Sequence, residues 1–280
     1  MILITTAGKV GAEAARLLAQ QGDPVRILVR DVDKRIDLSR VGVEMVRGDL
    51  EDPATIDVAM RGVSSVILVS PALPAQELNV VNSAARASVE HVVKITSKAS
   101  ADSPVARRRD QSTIEEGLIS SGLDYTLLRN NVYMQNFLML APAIARSSSF
   151  GSNTGEGRGG LIDSRDVAAV AAMIASDPVS HKNKTYWLTG PESLTYADAA
   201  DVMTKVLGRR ITFHPLTNEE QRQAMIGVGV PEHIAQMNAQ ALGLWTEGDA
   251  DWVTEDVTTI LGRHGRSFEQ FITDHAEAFV

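Results

Sequence analysis

Cysteine is absent from all 280 residues, which excludes disulfide frameworks, thiol nucleophiles and thiolate metal sites. The six histidines are scattered and form no His-x-x-x-His pair, so we predict no metal site. The Gly-x-Ser-x-Gly motif of α/β hydrolases is also missing. These absences argue against most metal-dependent, thiol-based and serine-based enzyme classes.

Excess positive charge and long hydrophobic runs are missing as well. Twenty-seven basic and 35 acidic residues give a net charge of −8, which argues against a nucleic-acid surface. No stretch approaches the roughly 20 apolar residues that a membrane-spanning helix needs. The first apolar run, Ile2–Ile4, is broken at once by threonine, unlike the core of a signal peptide. We therefore expect a cytoplasmic protein with neither a nucleic-acid nor a membrane partner.

Short β-branched runs alternate with helical patterns in the first half of the chain. Strands are predicted at Ile2–Ile4, Val25–Val29, Val43–Val46, Ser65–Val69, Val92–Thr96 and Tyr125–Leu128. Helices are predicted at Val10–Gln21, Pro53–Met60, Ala75–Ala87 and Thr113–Ser120. This alternation is typical of an α/β, Rossmann-type, doubly wound parallel sheet.

The second half of the chain has a different rhythm. Residues 147–160 are rich in serine and glycine and are predicted to be a loop, and Thr185–Leu188 is predicted to be a late strand. Helices are predicted at Val167–Ile174, Tyr196–Leu207, Asn218–Ile226, Pro231–Leu242 and Phe268–Ala278. We therefore predict an NAD(P)-binding Rossmann domain over 1–150 and a smaller, mainly helical substrate-side lobe over 151–280. Some of the lobe's elements are expected to return to the Rossmann domain, and Asn130–Arg146 could add to the lobe.

A loop with two glycines lies between the first strand and the first helix. Glycine lets the backbone approach a pyrophosphate, and the free N–H groups of a helix N-terminus favour an anion. An earlier glycine is missing, and a plain strand–helix turn is the alternative interpretation. The position of the loop after an N-terminal strand predicts dinucleotide binding. The expected contacts are Thr6, Gly8, Lys9, Val10 and Gly11.

The second strand ends at Arg30, where the adenosine ribose of a dinucleotide lies in this topology. The guanidinium of Arg30 suits the 2′-phosphate of NADP, and Lys34 could add a second charge. Asp31 and Asp33 could instead contact a ribose hydroxyl, or the whole segment could be a solvated charge cluster. We therefore predict NADP(H) as the preferred cofactor, with NAD(H) as the alternative.

Several motifs are spread over nearly the whole chain: Val29–Arg30, Gly48–Pro53, Ser70–Pro71, Val93–Ser97, Ser121–Asn130, Asp163–Ala168 and Leu188–Glu192. Together they resemble the NmrA-like, atypical short-chain dehydrogenase/reductase family, which includes NAD(P)H quinone oxidoreductases and triphenylmethane reductases. The family loop is usually T-G-A-T-G-x-x-G, and the loop of this chain is one residue shorter. The resemblance implies further cofactor contacts from Asp49, Leu50, Ser70, Pro71, Lys94 and Thr96.

The acid of ordinary short-chain dehydrogenases is a Tyr-x-x-x-Lys pair. None of the four tyrosines, Tyr125, Tyr133, Tyr186 and Tyr196, has a lysine four residues later. The pair is therefore absent, as the resemblance to the atypical group implies.

The resemblance implies Gln111 and Tyr133 as candidates for catalysis, and Lys94 is a third candidate because it is predicted at the end of a strand that faces the cleft. Gln111 can hydrogen-bond a carbonyl but cannot act as an acid near neutral pH, and Glu115 lies on the same helix face. The stretch around Tyr133 resembles the family's substrate-side segment. The expected substrate contacts are Gln111, Tyr133, Met134, Asn136 and Phe137.

Four of these candidates have a plainer alternative. Gln111 could be a solvated helix residue, Met134 and Phe137 could pack in the core, and a lone lysine such as Lys94 is most often solvated. The function predicted is NADP(H)-dependent reduction of a small conjugated or aromatic acceptor such as a quinone. The alternative is a non-catalytic, NADP-sensing regulator that binds a protein partner. The oligomeric state, monomer or homodimer, stays open.

Overall fold

Nine strands and twelve α-helices follow one another along residues 1–280, all of which the computed structural model describes. The strands are β1 (Ile2–Ile4), β2 (Val25–Val29), β3 (Glu44–Arg47), β4 (Ser65–Leu68), β5 (His91–Ser97), β6 (Asp124–Asn130), β7 (Ser149–Ser152), β8 (Lys184–Leu188) and β9 (Thr212–Pro215). The helices are α1 (Lys9–Gln21), α2 (Ile36–Ser39), α3 (Pro53–Ala59), α4 (Pro74–Arg86), α5 (Ala106–Ser120), α6 (Phe137–Ser147), α7 (Ser164–Ser176), α8 (Tyr196–Leu207), α9 (Asn218–Gly227), α10 (Glu232–Gly243), α11 (Asp256–Leu261) and α12 (Phe268–Asp274). None of these helices is both long and apolar enough to cross a membrane.

The predicted doubly wound sheet is confirmed. Seven strands form one sheet in the order β3-β2-β1-β4-β5-β6-β8, and the pairs from β3 to β6 are all parallel. The chain reverses its direction of winding between β1 and β4, which makes the carboxyl ends of these two strands the switch point of the sheet. Ligands of such sheets bind at this point.

Two compact units divide the chain. The first comprises Met1–Asn130 and Ser164–Trp187, and the second comprises Asn131–Asp163 and Leu188–Val280. Each unit is therefore discontinuous in sequence. The division predicted from the sequence is a single cut between 1–150 and 151–280, and it stays a prediction.

The first unit has helices on both faces of its sheet. On one face, α3, α4 and α5 pack against the strands, and Leu3, Val66, Val92 and Leu127 join one buried cluster. On the other face, α1 packs against α7. Local signals set the ends of these helices: Asp52 caps α3 ahead of Pro53, and α1 ends at Gly22, which has a φ of 86°.

The second unit is built around an aromatic cluster. Phe137 of α6 packs against Phe150, Tyr196 and Phe268, with ring centroids 4.7 to 5.8 Å apart. β7 and β9 form a separate parallel pair. Because β7 lies within 147–160, the prediction that this whole segment is a loop is wrong. Its four residues, Ser-Phe-Gly-Ser, carry no strand pattern and form a strand by pairing with a distant segment.

Candidate functional site

Two threonines tie the glycine loop to the switch point of the sheet. The hydroxyls of Thr5 and Thr6 donate hydrogen bonds of 2.8 and 2.9 Å to the carbonyl of Val69, which follows β4. The Thr5 oxygen also accepts a hydrogen bond of 2.9 Å from the Val69 amide. Thr6 was expected to contact the cofactor. Its hydroxyl is instead bonded to the Val69 carbonyl just after β4, so its backbone, which is part of the loop, is what remains for that contact.

The two glycines of this loop have different reasons to be glycine. A Cβ on Gly11 would lie 2.0 Å from the carbonyl oxygen of Thr6, so the close approach of loop and helix excludes any side chain there. A Cβ on Gly8 would meet nothing closer than the Thr6 hydroxyl, at 4.0 Å. Packing within the chain explains Gly11 but not Gly8, which leaves open space beside the loop.

The N-terminus of α1 faces this open space. Gly8 and Lys9 are exposed, no side chain caps the helix, and no acidic residue lies in its first turn. The first N–H groups of a helix have no intrahelical partner, and the helix dipole favours an anion beside them. Val10 is buried and anchors the turn. The residues at this end therefore fit the pyrophosphate of a dinucleotide.

Three basic side chains follow β2. Arg30 is exposed, and no carboxylate pairs with it. Lys34 is also exposed and lies 3.5 Å from the carboxylate of Asp31. Arg35, which the sequence analysis did not select, donates to the carbonyl of Ala7 in the glycine loop and pairs with Asp37. Of the two arginines, Arg30 is therefore the one whose guanidinium remains open to a phosphate.

Asp49 and Leu50 form a turn after β3. The Asp49 carboxylate accepts a hydrogen bond of 3.0 Å from the Glu51 amide, and the Asn79 side chain donates to the Leu50 carbonyl over 3.0 Å. The Leu50 side chain is buried in the core of the first unit. Burial favours core packing for the Leu50 side chain, whereas Asp49 is half-buried, and contact of either residue with a cofactor stays a prediction.

A fully buried ion pair lies beneath the turn that follows β4. The Lys94 amine lies 2.5 Å from the carboxylate of Glu77 and donates to the Ile95 carbonyl over 2.7 Å. The other oxygen of Glu77 accepts a hydrogen bond of 2.6 Å from Ser70. Pro71, next along this turn, is exposed. The pair thus fixes the turn on which Ser70 and Pro71 were expected to meet the cofactor.

The burial of Lys94 corrects the sequence interpretation of this residue. The sequence predicts Lys94 at the end of a strand that faces the cleft, as a catalytic and ribose-binding group, whereas the structure leaves it with no exposed surface. Removing one partner of a buried ion pair leaves an uncompensated charge and costs about 3–5 kcal/mol. These contacts favour a role in positioning the Ser70 turn, and a direct contact between Lys94 and a ligand stays a prediction.

A second buried polar cluster lies at the carboxyl end of β5. The Thr96 hydroxyl lies 3.0 Å from Oε1 of Gln111 and 2.9 Å from Oε1 of Glu115. Glu115 pairs with Arg129, whose guanidinium also lies 4.9 Å from the ring centroid of Trp187. Gln111 is only 6% exposed, so it is not the solvated helix residue that the sequence left as its alternative.

The substrate-side candidates lie in the second unit. Tyr133 is half-buried, and burial raises the pKa of its phenol well above its usual range, so the hydroxyl stays protonated and able to donate a hydrogen bond. Asn136 is exposed just before α6. Met134 and Phe137 are completely buried in the core of this unit. Their burial favours core packing over the predicted contact with a substrate.

Four charged residues of these clusters escaped selection from the sequence: Arg35, Glu77, Glu115 and Arg129. A glutamate within a helical pattern indicates a solvated position, and only the tertiary fold brings Lys94 and Arg129 to these carboxylates. Glu115 alone carried a signal, its place on the helix face of Gln111.

Comparison with known proteins identifies the family of this chain. The model of the NmrA-like family matches residues 1–272. The chain is 34% identical to the NAD(P)H azoreductase of Xenophilus azovorans, over 100% of this chain and 99% of that one. It is 35% identical to the (4-alkanoyl-5-oxo-2,5-dihydrofuran-3-yl)methyl phosphate reductase of Streptomyces griseus, with the same coverage. The NADPH complex of the Escherichia coli quinone oxidoreductase QOR2 is 28% identical and matches with a TM-score of 0.89 over 99% of this chain and 100% of that one. The chain belongs to the NmrA-like family, and the resemblance found in its sequence is confirmed.

Proposed function

We propose that this protein is an NADP(H)-dependent reductase that transfers a hydride to a small conjugated or aromatic acceptor, such as a quinone or an azo compound. The observation that carries the proposal is the uncapped, acid-free N-terminus of α1 beside the open space at Gly8. This feature lies at the switch point of the sheet, where dinucleotides bind. The activities for which the azoreductase and the quinone oxidoreductase are named support the choice of acceptor.

In this proposal the chain binds and orients, and NADPH supplies the hydride. The N–H groups at Gly8–Gly11 hold the pyrophosphate, and Arg30 pairs with the 2′-phosphate that distinguishes NADPH from NADH. Asp49 and the Ser70–Pro71 turn are the further cofactor contacts. Tyr133 donates a hydrogen bond to the acceptor, because its phenol stays neutral at ordinary pH.

The test is the oxidation of NADPH, followed at its absorbance maximum, in the presence of naphthoquinones and azo dyes. We expect turnover with at least one of these acceptors and a lower KM for NADPH than for NADH. Isothermal titration of NADPH into the chain without an acceptor measures binding independently of turnover. Tight binding with no turnover across the panel would contradict the reductase and support the NADP-sensing regulator.

The remaining sequence predictions accompany this proposal. We propose that the Rossmann domain, predicted over 1–150, holds the cofactor and that the lobe, predicted over 151–280, supplies the substrate side. The cytoplasmic location, the absence of nucleic-acid and membrane partners, and the open choice between monomer and homodimer stay predictions.

A further inference from the structure

The hydroxyl of Thr96 lies near more hydrogen-bond acceptors than it has hydrogens to donate. Oε1 of Gln111 lies 3.0 Å from it and Oε1 of Glu115 lies 2.9 Å from it, while the carbonyl of Ser97 is farther away, at 3.4 Å. A threonine hydroxyl has one hydrogen to donate. With the amide oriented in this way, one of the two short contacts would join two oxygen atoms with no hydrogen between them.

The carboxylate of Glu115 is the stronger of the two acceptors for this hydrogen. Glu115 is 4% exposed and pairs with Arg129, and Arg129 is held from another side by Trp187. A carboxylate in an ion pair only accepts hydrogen bonds, and bonds to a charged acceptor are about twice as strong as neutral ones. The Thr96 hydroxyl therefore donates to Glu115 and has only lone pairs left for Gln111.

We infer that the Gln111 amide is turned so that its N–H₂ group donates to Thr96 and its carbonyl oxygen is presented to the ligand. The oxygen and nitrogen of an amide are assigned from the hydrogen-bond network, so the choice follows from its neighbours. The Arg129–Glu115 pair thus makes Gln111 a hydrogen-bond acceptor. The residue type had suggested the opposite role, in which Gln111 donates a hydrogen bond to a carbonyl of the ligand.

Gln111 is more than nine-tenths buried, yet one end of its amide has no partner within the protein. That end is not sealed from the surface, because neither terminal atom of Gln111 is among the buried atoms that lack a hydrogen bond. An acceptor held in this way selects ligands with an O–H or N–H group. Resting on the proposed function, the inference narrows the substrate class to conjugated acceptors that carry a neutral hydroxyl or amine beside the reducible system.

The experiment compares a hydroxymethyl-substituted naphthoquinone with its methyl ether, which keeps the ring system and loses only the donor. The readout is the ratio of the two kcat/KM values with NADPH. We expect the wild-type chain to prefer the hydroxymethyl compound by about 2- to 10-fold, as one neutral hydrogen bond predicts. The same pair without the quinone oxygens, naphthylmethanol and its methyl ether, is titrated into the NADP⁺-loaded chain to measure binding without turnover.

Three variants separate the roles. Gln111→Met keeps the side-chain length and removes the acceptor, so the ratio should fall to about 1. Glu115→Gln supplies an amide that can donate to Thr96, which frees the threonine hydrogen for Gln111 and turns the Gln111 amide, so the ratio should also fall. Glu116→Gln makes the same chemical change on the exposed face of α5 and should keep the wild-type ratio. Thermal unfolding of each variant confirms that it is folded.

A wild-type ratio near 1, or a ratio that Gln111→Met leaves unchanged, would overturn the inference while turnover of the quinones upheld the proposed function. If no quinone were reduced, the proposed function would fail and the titration would decide the inference. Tighter binding of naphthylmethanol than of its ether, lost in Gln111→Met, would support it. Equal binding of the two compounds, or none, would overturn it.

Discussion

At the scale of single residues, the two arginines that follow β2 differ in whether their guanidinium groups have partners within the protein. Arg35 is occupied by Ala7 and Asp37, whereas Arg30 is exposed and has no carboxylate beside it. We expect Arg30→Ala to weaken NADPH binding by about 10-fold or more, because a hydrogen bond to a charged group contributes about 1.5–3 kcal/mol. NADH binding should change little, since NADH lacks the 2′-phosphate.

Titration calorimetry with both dinucleotides measures this difference. Arg40→Ala is the matched control, because Arg40 is also exposed and lies at the end of α2. Equal weakening of NADPH and NADH in Arg30→Ala would contradict the assignment of Arg30 to the 2′-phosphate.

Tyr133 gives a prediction about pH. Burial raises the pKa of its phenol, so the neutral, donating form persists throughout the alkaline range in which an ordinary tyrosine ionises. Tyr133→Phe should lower kcat by up to about 100-fold, as for the loss of a preorganised donor, and leave NADPH binding nearly unchanged. The pH profiles of kcat for both proteins should have the same shape between pH 7 and about pH 10. An alkaline loss of activity present in the wild type and absent in Tyr133→Phe would contradict this role.

At the scale of elements, the loop between β1 and α1 offers a matched pair of substitutions. Gly11→Ala places a Cβ 2.0 Å from the Thr6 carbonyl oxygen and should lower the free energy of unfolding by about 1–3 kcal/mol, together with NADPH affinity. Gly8→Ala has open space and a φ of −71°, so stability should be kept. Its methyl group should nevertheless obstruct the pyrophosphate and weaken NADPH binding. Wild-type affinity in Gly8→Ala, measured by calorimetry beside urea unfolding, would show that the dinucleotide lies elsewhere.

The opposite end of β5 carries a buried histidine. His91 is fully buried, its Nε2 lies 2.9 Å from the Thr126 hydroxyl, and its Nδ1 has no partner. Because Thr126 donates to the His181 carbonyl over 2.7 Å, Thr126 accepts from His91 Nε2–H. Burial lowers the pKa of His91 from 6.5 to about 4. The Asp124 carboxylate and the Tyr125 backbone oppose this shift, whereas the positive charges of Lys182 and His181 add to it.

This lowered pKa makes stability depend on pH in one direction. The unfolded chain binds a proton at His91 below pH 6.5 and the folded chain does not until about pH 4, so the free energy of unfolding should fall as the pH falls between these values. The loss attributable to His91 is at most about 3 kcal/mol. Urea unfolding across this range should give a flatter profile for His91→Gln than for the wild type. His214→Gln, at an exposed histidine, should leave the profile unchanged.

At the scale of the whole molecule, the parallel sheet was predictable and the second unit was only partly so. β2 has the predicted bounds because Val25–Val29 is a mainly apolar, β-branched run, interrupted only by Arg26, with a glycine and a proline before it. α5 begins at Ala106, seven residues before its predicted start. The prediction missed these first turns because they are charged and lack an apolar period. α6 was not predicted, since it contains Pro142 and is apolar over most of its length. Packing against residues distant in sequence stabilises such elements, and the local sequence pattern contains no signal of that packing.

The same distinction holds for the site. The loop at Gly8 and the open cation at Arg30 could be predicted because the topology of the sheet assigns them a place. The direction of the Gln111 amide could not, since it depends on Glu115 and Arg129, whose pairing is a tertiary contact. Backbone positions therefore follow from the sequence more readily than the polarity that each side chain presents.

The absence of a Tyr-x-x-x-Lys acid anywhere in the chain governs which acceptors the whole molecule can reduce. Hydride transfer to a simple ketone places charge on one oxygen and needs a proton at once, whereas a quinone spreads that charge over its ring and oxygens. The neutral phenol of Tyr133 can stabilise a delocalised charge by a hydrogen bond, but its raised pKa makes it a poor proton donor. We therefore expect NADPH-dependent reduction of naphthoquinone and little activity on an aliphatic ketone of similar size, compared as kcat/KM in one assay. Efficient ketone reduction that persists in Tyr133→Phe would show that another acid serves the reaction.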